Sequence, residues 1–510
     1  MSVSANSSNP MNFIIVISDS LRRDHVSAYG AQPERWASGG TWSMQTPNID
    51  KLAAQGALFE NYHLGSFPTV LNRREMLTGR SVFTYGEWEP FPDKETSMPE
   101  VLNAAGYKTM LIADTPHIFR SGYHYQRGFT GWDWIRGQES DEYRTNPDFI
   151  DPPFDLRKLR SNAQSYSQHT RNLNYARYES EYFAPTTFRR ASEWLEMNAT
   201  ESPFCLIVDT FDPHEPWDPP QWYVDKFDPG ADVQITFPTY DFWEEFLSAD
   251  ELRNAHARYC GEVSMVDRWF GHLMDTVDAM NLWSNTAVLF MSDHGYLFGE
   301  YGITGKSIMT HNKPASPLPL FPAISHIPML GHIPGFTSAG DRISGFVQPQ
   351  DILPTLIELG GAECPDGIHG HSFMPLLTGE AEDIRKASIS SHSVVGMVAG
   401  RPATVRTHDW TLYMGAPVSD ETPISITGYG GGTAVNVLRD DQVHIRQESP
   451  IDLSLQPHLY DNQADPDHQV DLVDEKPEIA RELQGLLVEY LESVGTAEKY
   501  IAPRRIHRFG

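Results

Sequence analysis

Cysteine is scarce: Cys205, Cys260 and Cys364 are the only three in 510 residues, and their wide spacing excludes a disulfide framework. No CxxC pair occurs, which argues against a Cys-rich zinc cluster as well. Positive charge is also in short supply. The chain has 39 Lys and Arg against 68 Asp and Glu, a formal charge of −29. Such a field repels nucleic acid and anionic membrane surfaces, so neither is expected as a partner. A small anionic substrate stays compatible, because a bound metal and a few local cations set the potential inside a pocket. Long apolar runs are missing too. The run at 13–17 (FIIVI) is far too short to span a bilayer, and residues 1–12 carry no basic patch ahead of an apolar stretch. A soluble, cytoplasmic protein is expected, with a homo-oligomer left open.

What the chain does contain is 40% hydrophobic and 11% aromatic residues, the composition of a folded globular protein. Its length predicts one large domain and a smaller one. Four short apolar runs, at 13–17, 109–112, 204–208 and 287–291, each end in polar residues. Asp19 follows the first, Asp114 and His117 the second, Asp209, Asp212 and His214 the third, and Asp293 and His294 the fourth. Helical patterns alternate with them, as at 47–55, with Thr46 as N-cap and Gly56 as stop. Val263, Val266, Phe270, Leu273, Met274 and Val277 also repeat at helical spacing. Strands alternating with helices predict an α/β fold with a mostly parallel sheet covered on both faces. Ligands bind at the carboxyl ends of such strands, where these Asp and His residues collect. A further helix is expected at 351–359. Short β-type stretches follow at 394–399, 404–406, 410–414 and 435–438, with a Gly-rich turn around 428–432 and an amphipathic helix over 477–494. The expected division is a catalytic domain at 1–385 and a smaller α+β subdomain at 386–510.

Residues 65–80 (GSFPTVLNRREMLTGR) closely resemble the signature of type I sulfatases, Cys/Ser-x-Pro-x-Arg followed by Leu-Thr-Gly-Arg. Further elements resemble the same family in the same order. Asp19-Ser20-Leu21-Arg22-Arg23-Asp24-His25 is similar to its N-terminal metal motif, with Ser20 where an Asp is usual. Asp212-Pro213-His214-Glu215-Pro216 resembles PHxPF, Ser292-Asp293-His294-Gly295 resembles the metal-ligand pair, and Gly305-Lys306 resembles the end of GEHGxxGK. Stretches at 348–359, 370–377 and 459–466 resemble later family elements. The resemblance implies an alkaline-phosphatase-like α/β core with a smaller C-terminal α+β subdomain. It also implies a divalent cation held by Asp19, Asp293, His294 and Thr69. His214 and Lys306 would grip ester oxygens, and Arg73 would steady the nucleophile. Asn72 matches an asparagine of threonine-nucleophile phosphodiesterases. Asn72, His117 and His311 are candidate substrate contacts, while Asp114 stands where the family carries a lysine. Asp24 and His25 are read as structural.

In that alignment the Cys that sulfatases oxidise to formylglycine falls on Thr69, which cannot be so converted. A hydroxyl after Pro68 at a helix start would feel the helix dipole and unpaired N–H groups. Formylglycine hydrate releases sulfate by hemiacetal cleavage, a route closed to a threonyl ester, so water must attack the central atom. Phosphoryl and phosphonyl esters suit that two-step displacement. The leading expectation is therefore a metal-dependent hydrolase of phosphate diesters, phosphonates or phosphate monoesters with Thr69 as nucleophile. The alternatives are a sulfatase working without formylglycine and a non-catalytic binding member of the family. Oxygen ligands plus one His permit Ca, Mg, Mn or Zn, and Ser20 in place of a carboxylate favours Mn or Zn. A second metal near Asp212, His214 or His311 is left open.

Overall fold

The computed structural model describes residues 10–30, 33–139, 141–146, 150–160, 163–200, 203–309, 316–395, 402–415, 456–506 and 509. Among these, an eight-stranded sheet forms the centre. Its strands are β1 (Asn12–Ser18), β2 (Ala57–Tyr62), β3 (Lys108–Ala113), β4 (Gly131–Trp134), β5 (Phe204–Thr210), β6 (Thr286–Ser292), β7 (Met329–His332) and β8 (Asp341–Val347). Their order is β8–β2–β7–β6–β1–β5–β3–β4. All run in one direction except β7, which is antiparallel to both of its neighbours.

The four apolar runs are the four adjacent strands β6, β1, β5 and β3. Their continuous hydrophobicity follows from burial on both faces. Phe13, Ile15 and Ile17 of β1 join one core, and Ile14 and Val16 join the other. The second core is closed by two helices, Phe183–Asn198 through Phe188 and Leu195, and Ala249–Ala279 through Val263, Val266, Phe270 and Val277. The first is closed by Thr69–Thr78 through Val70, Met76 and Leu77, and by Ile352–Gly360 through Leu353 and Leu356.

Helix Pro47–Gln55 forms as expected, but its caps differ from the expected ones. The Thr46 hydroxyl donates to the Asp50 carboxylate instead of capping the helix backbone. Gly56 is not left-handed (φ −134°); a Cβ there would stand 2.1 Å from the Gly331 carbonyl oxygen of β7. Close backbone approach, not helix termination, requires glycine at this position.

A second, antiparallel sheet is built from Ser388–Ser391, Ala403–Arg406, Trp410–Met414 and His458–Asp461. Helix Pro477–Ser493 covers it with Leu483, Leu487 and Leu491, which pack with Val405, Leu412 and Leu459. Val394 and Val395 follow the first strand in a bend, not in a strand of their own, and 396–401, 428–432 and 435–438 lie outside the described residues. This C-terminal sheet also touches the loop that carries the candidate nucleophile. Ser66 bridges Ser391, and the Phe67 amide donates to the Ser391 carbonyl (3.0 Å). None of the described helices is long and apolar enough to cross a membrane.

Candidate active site

Parallel register brings the ends of β5, β1 and β6 level. Ser18 is paired with Thr210 on one side and Ser292 on the other. The next residues of β1 and β6, Asp19 and Asp293, therefore emerge side by side, and His294 follows. One ligand atom from each of Asp19, Asp293 and His294 lies within 4.8 Å of the others, all three side chains being buried. Ser20 holds this arrangement in a left-handed conformation (φ 62°), unusual for a non-glycine residue and typical of strained sites. Its amide donates to Asp293 Oδ1 (3.0 Å) and its hydroxyl to Asp19 Oδ1 (2.9 Å). Gly295 is required by crowding, since a Cβ would lie 1.9 Å from the Ala323 carbonyl oxygen.

Thr69 is the first residue of helix Thr69–Thr78, where backbone N–H groups lack intrahelical partners. Its Oγ1 lies 3.3 Å from His294 Nε2, so the threonine joins the cluster. One turn along, the Arg73 guanidinium enters the same space. Nε and Nη2 donate to the two oxygens of Asp209 (3.1 and 2.7 Å), while Nη1 donates to Asp293 and pairs with Asp19 Oδ2 at 3.1 Å. Asn72 is turned toward the protein: its amide donates to the Asp293 carbonyl (3.0 Å), which makes it a support for that loop.

From this centre a polar chain runs outward. Lys306 Nζ donates to Ser20 Oγ (2.7 Å) and stands 3.9 Å from Glu215. Glu215 accepts from the Tyr240 hydroxyl and pairs with Arg160 at 3.2 Å. His214 Nδ1 faces the Glu215 carbonyl at 2.6 Å, and its ring stacks on Phe211 at 4.0 Å. Beyond Phe211, His117 reaches Glu139 at 3.4 Å, and Glu139 closes the circuit by pairing with Arg160. Asp114 is committed elsewhere, accepting from the Phe211 amide (2.6 Å) and the Thr210 hydroxyl (3.4 Å). His311 lies outside the described residues. Asp209, Glu215 and Arg160 were not singled out from the sequence as site residues. The position of Asp209 at the end of an apolar run and that of Glu215 beside His214 in the PHxPF-like stretch were the available signals; nothing local marked Arg160.

Electrostatically the centre is short of positive charge. Burial, reinforced by Asp293, pushes the Asp19 carboxyl well above its usual range. Burial works the same way on Asp293, but the Arg73 guanidinium overrides it and holds that carboxylate below its usual range. Burial drives His294 down to about 3, so its ring is a neutral nitrogen donor. The His117 ring falls to about 4 and the His214 ring well below its usual value, both mainly by burial. The Lys306 ammonium is also lowered by burial, against the pull of Glu215 and Asp19. Three buried carboxylates thus converge on the one guanidinium of Arg73, and Asp19 Oδ2 receives no hydrogen bond beyond that ion pair. Two carboxylates and a neutral imidazole form a donor set that fits a divalent cation.

The description "Sulfatase" belongs to a family model that matches residues 11–362. The chain belongs to the sulfatase family. Sulfatase-family enzymes generally bind a divalent metal, and Asp19, Asp293 and His294 are candidate ligands for one here. A second model, described as "N-sulphoglucosamine sulphohydrolase, C-terminal", matches residues 320–412. An arylsulfatase of Clostridium perfringens is 23% identical over 72% of this chain and 78% of its own length. A phosphonate monoester hydrolase from Silicibacter pomeroyi superposes with a TM-score of 0.68 at 17% identity, covering 95% of this chain and 96% of that one. A protein solved in complex with its substrate D-glucosamine-2-N,6-O-disulfate superposes at 0.66 with 19% identity, covering 96% and 100%. Membership of that family makes this chain a hydrolase of sulfuric or phosphoric esters.

Proposed function

We propose that this enzyme hydrolyses phosphate diesters, phosphonates or phosphate monoesters through Thr69. The observation that carries the reading is the placement of the Thr69 hydroxyl, at a helix start and 3.3 Å from His294, beside the paired carboxylates of Asp19 and Asp293. A divalent cation held by Asp19, Asp293, His294 and Thr69 would lower the pKa of the hydroxyl and neutralise ester oxygens. Thr69 Oγ1 attacks the phosphorus and the alcohol leaves. Water then attacks the same phosphorus, releasing the acid and restoring Thr69. Lys306 and His214, linked through Glu215, hold the non-bridging and leaving oxygens. Arg73 keeps Asp19, Asp209 and Asp293 in register behind the nucleophile. The similarity to phosphonate monoester hydrolases supports the phosphorus reading.

The test is a substrate panel on metal-reconstituted protein: an aryl sulfate, a phosphate monoester, a phosphate diester and a phosphonate monoester. Turnover of at least one phosphorus ester well above the sulfate is expected. Turnover of the sulfate alone would replace this reading with sulfate-ester hydrolysis independent of formylglycine, which the sulfatase relatives favour.

A further inference from the structure

Behind the N-terminal motif, apart from the candidate active site, His25, His256 and Cys260 converge in the second core. One ligand atom from each lies within 4.8 Å of the others, and all three residues are fully buried. His256 and Cys260 sit four residues apart on helix Ala249–Ala279, so they share one face, and His25 comes from the short helical turn Arg23–His25. Aromatic rings wall the group: Trp36 stacks on His25 at 4.8 Å and Phe298 on His256 at 4.5 Å. Trp42 Nε1 donates to Cys260 Sγ at 3.2 Å.

The outer nitrogens of both rings are already engaged. His25 Nδ1 meets Asp24 Oδ1 at 2.8 Å, and Asp24, paired with Arg22 at 2.6 Å, is acceptor-only; His25 Nδ1 therefore carries the proton and Nε2 a bare lone pair. A carboxylate behind a histidine in this way fixes the tautomer that a metal requires. His256 Nδ1 meets Ser38 Oγ at 2.5 Å. The two Nε2 atoms then face one another at 2.6 Å, closer than an ordinary N–H hydrogen bond. Because the Ser38 hydroxyl can accept or donate, His256 can carry its proton on either nitrogen. With the proton on Nε2 the two rings share a hydrogen bond. With the proton on Nδ1, both lone pairs and the sulfur point to one centre.

We propose that His25, His256 and Cys260 form a second metal site, selective for a thiophilic ion such as Zn²⁺. Two imidazoles and a thiolate are the donor chemistry of zinc, and differ from the oxygen-rich set at Asp19 and Asp293. Binding releases one proton, from the Cys260 thiol; the histidines bind as neutral rings. The thiolate offsets one charge of the ion, and Asp24 lies directly behind His25. With zinc–nitrogen bonds of about 2.05 Å, a tetrahedral ion needs the nitrogens about 3.3 Å apart, so the imidazoles part by less than ~1 Å. Asp24 and Trp36, both in contact with His25, also line a cleft of about 510 Å³.

Cobalt(II) distinguishes the sites, because only a thiolate ligand gives a sulfur-to-cobalt charge-transfer band. The experiment uses full-length chelator-stripped protein in a Cys364→Ser background, which removes the exposed thiol. We expect two cobalt ions per chain and the band. Asp293→Ala should lose one ion and keep the band, whereas Cys260→Ser should lose one ion and the band together. Zn²⁺ should raise the melting temperature of Asp293→Ala but not of Asp293→Ala/Cys260→Ser. A band that survives Cys260→Ser, or its absence from the background protein and from Asp293→Ala alike, would overturn the proposal. The Asp293→Ala measurement decides the matter even if Cys260→Ser does not fold.

Discussion

Arg73 and Arg74 are consecutive on one helix and both are buried, yet their surroundings differ in kind. Arg74 makes a two-pronged pair with Glu95 (2.7 and 2.6 Å) and reaches the half-exposed Glu89 at 2.6 Å. Its charge is matched by one buried acid, and the second acid keeps its water. Arg73 is ringed by Asp19, Asp209 and Asp293, all buried. A matched buried pair is a scaffold, whereas a surplus of buried carboxylate is costly and persists where a further cation completes it. The Arg74 region holds the helix in place, and the Arg73 region leaves negative charge for a further cation to complete.

The largest break in this comparison should come from Asp293→Ala. Turnover should fall by at least ~10³-fold with one bound metal lost, read by steady-state kinetics and metal analysis, while the fold survives. Next, Arg74→Ala strands Glu95 and should cost about 3–5 kcal/mol in denaturant unfolding, with no dependence on divalent cation. Arg73→Ala should differ in kind: its melting temperature should rise steeply with added Mn²⁺ or Zn²⁺, because the three carboxylates then depend on that ion alone.

Glu75, two residues beyond Arg73, gives a pH test of the scaffold. Its carboxyl accepts from the Ser66 amide, and burial pushes it up to about 8. An unfolded glutamate titrates near ~4.3, so between these values the folded state binds more protons than the unfolded one. Stability contributed by this group is complete below the unfolded value and is lost as pH rises toward 8. Glu75→Gln should remove that slope, gaining on the order of a few kcal/mol over wild type at high pH and converging with it in acid. The smallest effect belongs to the exposed Lys386–Glu489 pair (3.2 Å), whose removal should cost less than ~1 kcal/mol and be insensitive to metal.

Legibility in the sequence follows the same physics. Strands β6, β1, β5 and β3 are central and buried on both faces, so their apolar runs stood out. Strands β2, β4, β7 and β8 have mixed patterns: Gly131–Trp134 is half-exposed, and Met329–His332 contains Gly331 and a partly exposed His332. Their pairing is decided by register with neighbours, which no local pattern displays. The ends of the central strands announced Asp19, His214, Asp293 and His294, and the structure brings Asp19, Asp293, His294, Thr69 and Arg73 together. Asn72 could not be assigned locally, because its partner is a backbone carbonyl more than 200 residues away. Arg160 and Glu215 escaped notice because their side-chain partners, Glu139, Tyr240 and each other, come from separate segments. Cys260 was one of three scattered cysteines until the fold set it beside two histidines from different segments.

The central claim is that Thr69 is the nucleophile, and the most direct measurement is phosphonate-monoester turnover by Thr69→Ala and Thr69→Ser with metal content matched to wild type. The hydroxyl account predicts that Thr69→Ala loses at least ~10³-fold in kcat while Thr69→Ser restores a substantial part of it. Wild-type turnover in Thr69→Ala would contradict it.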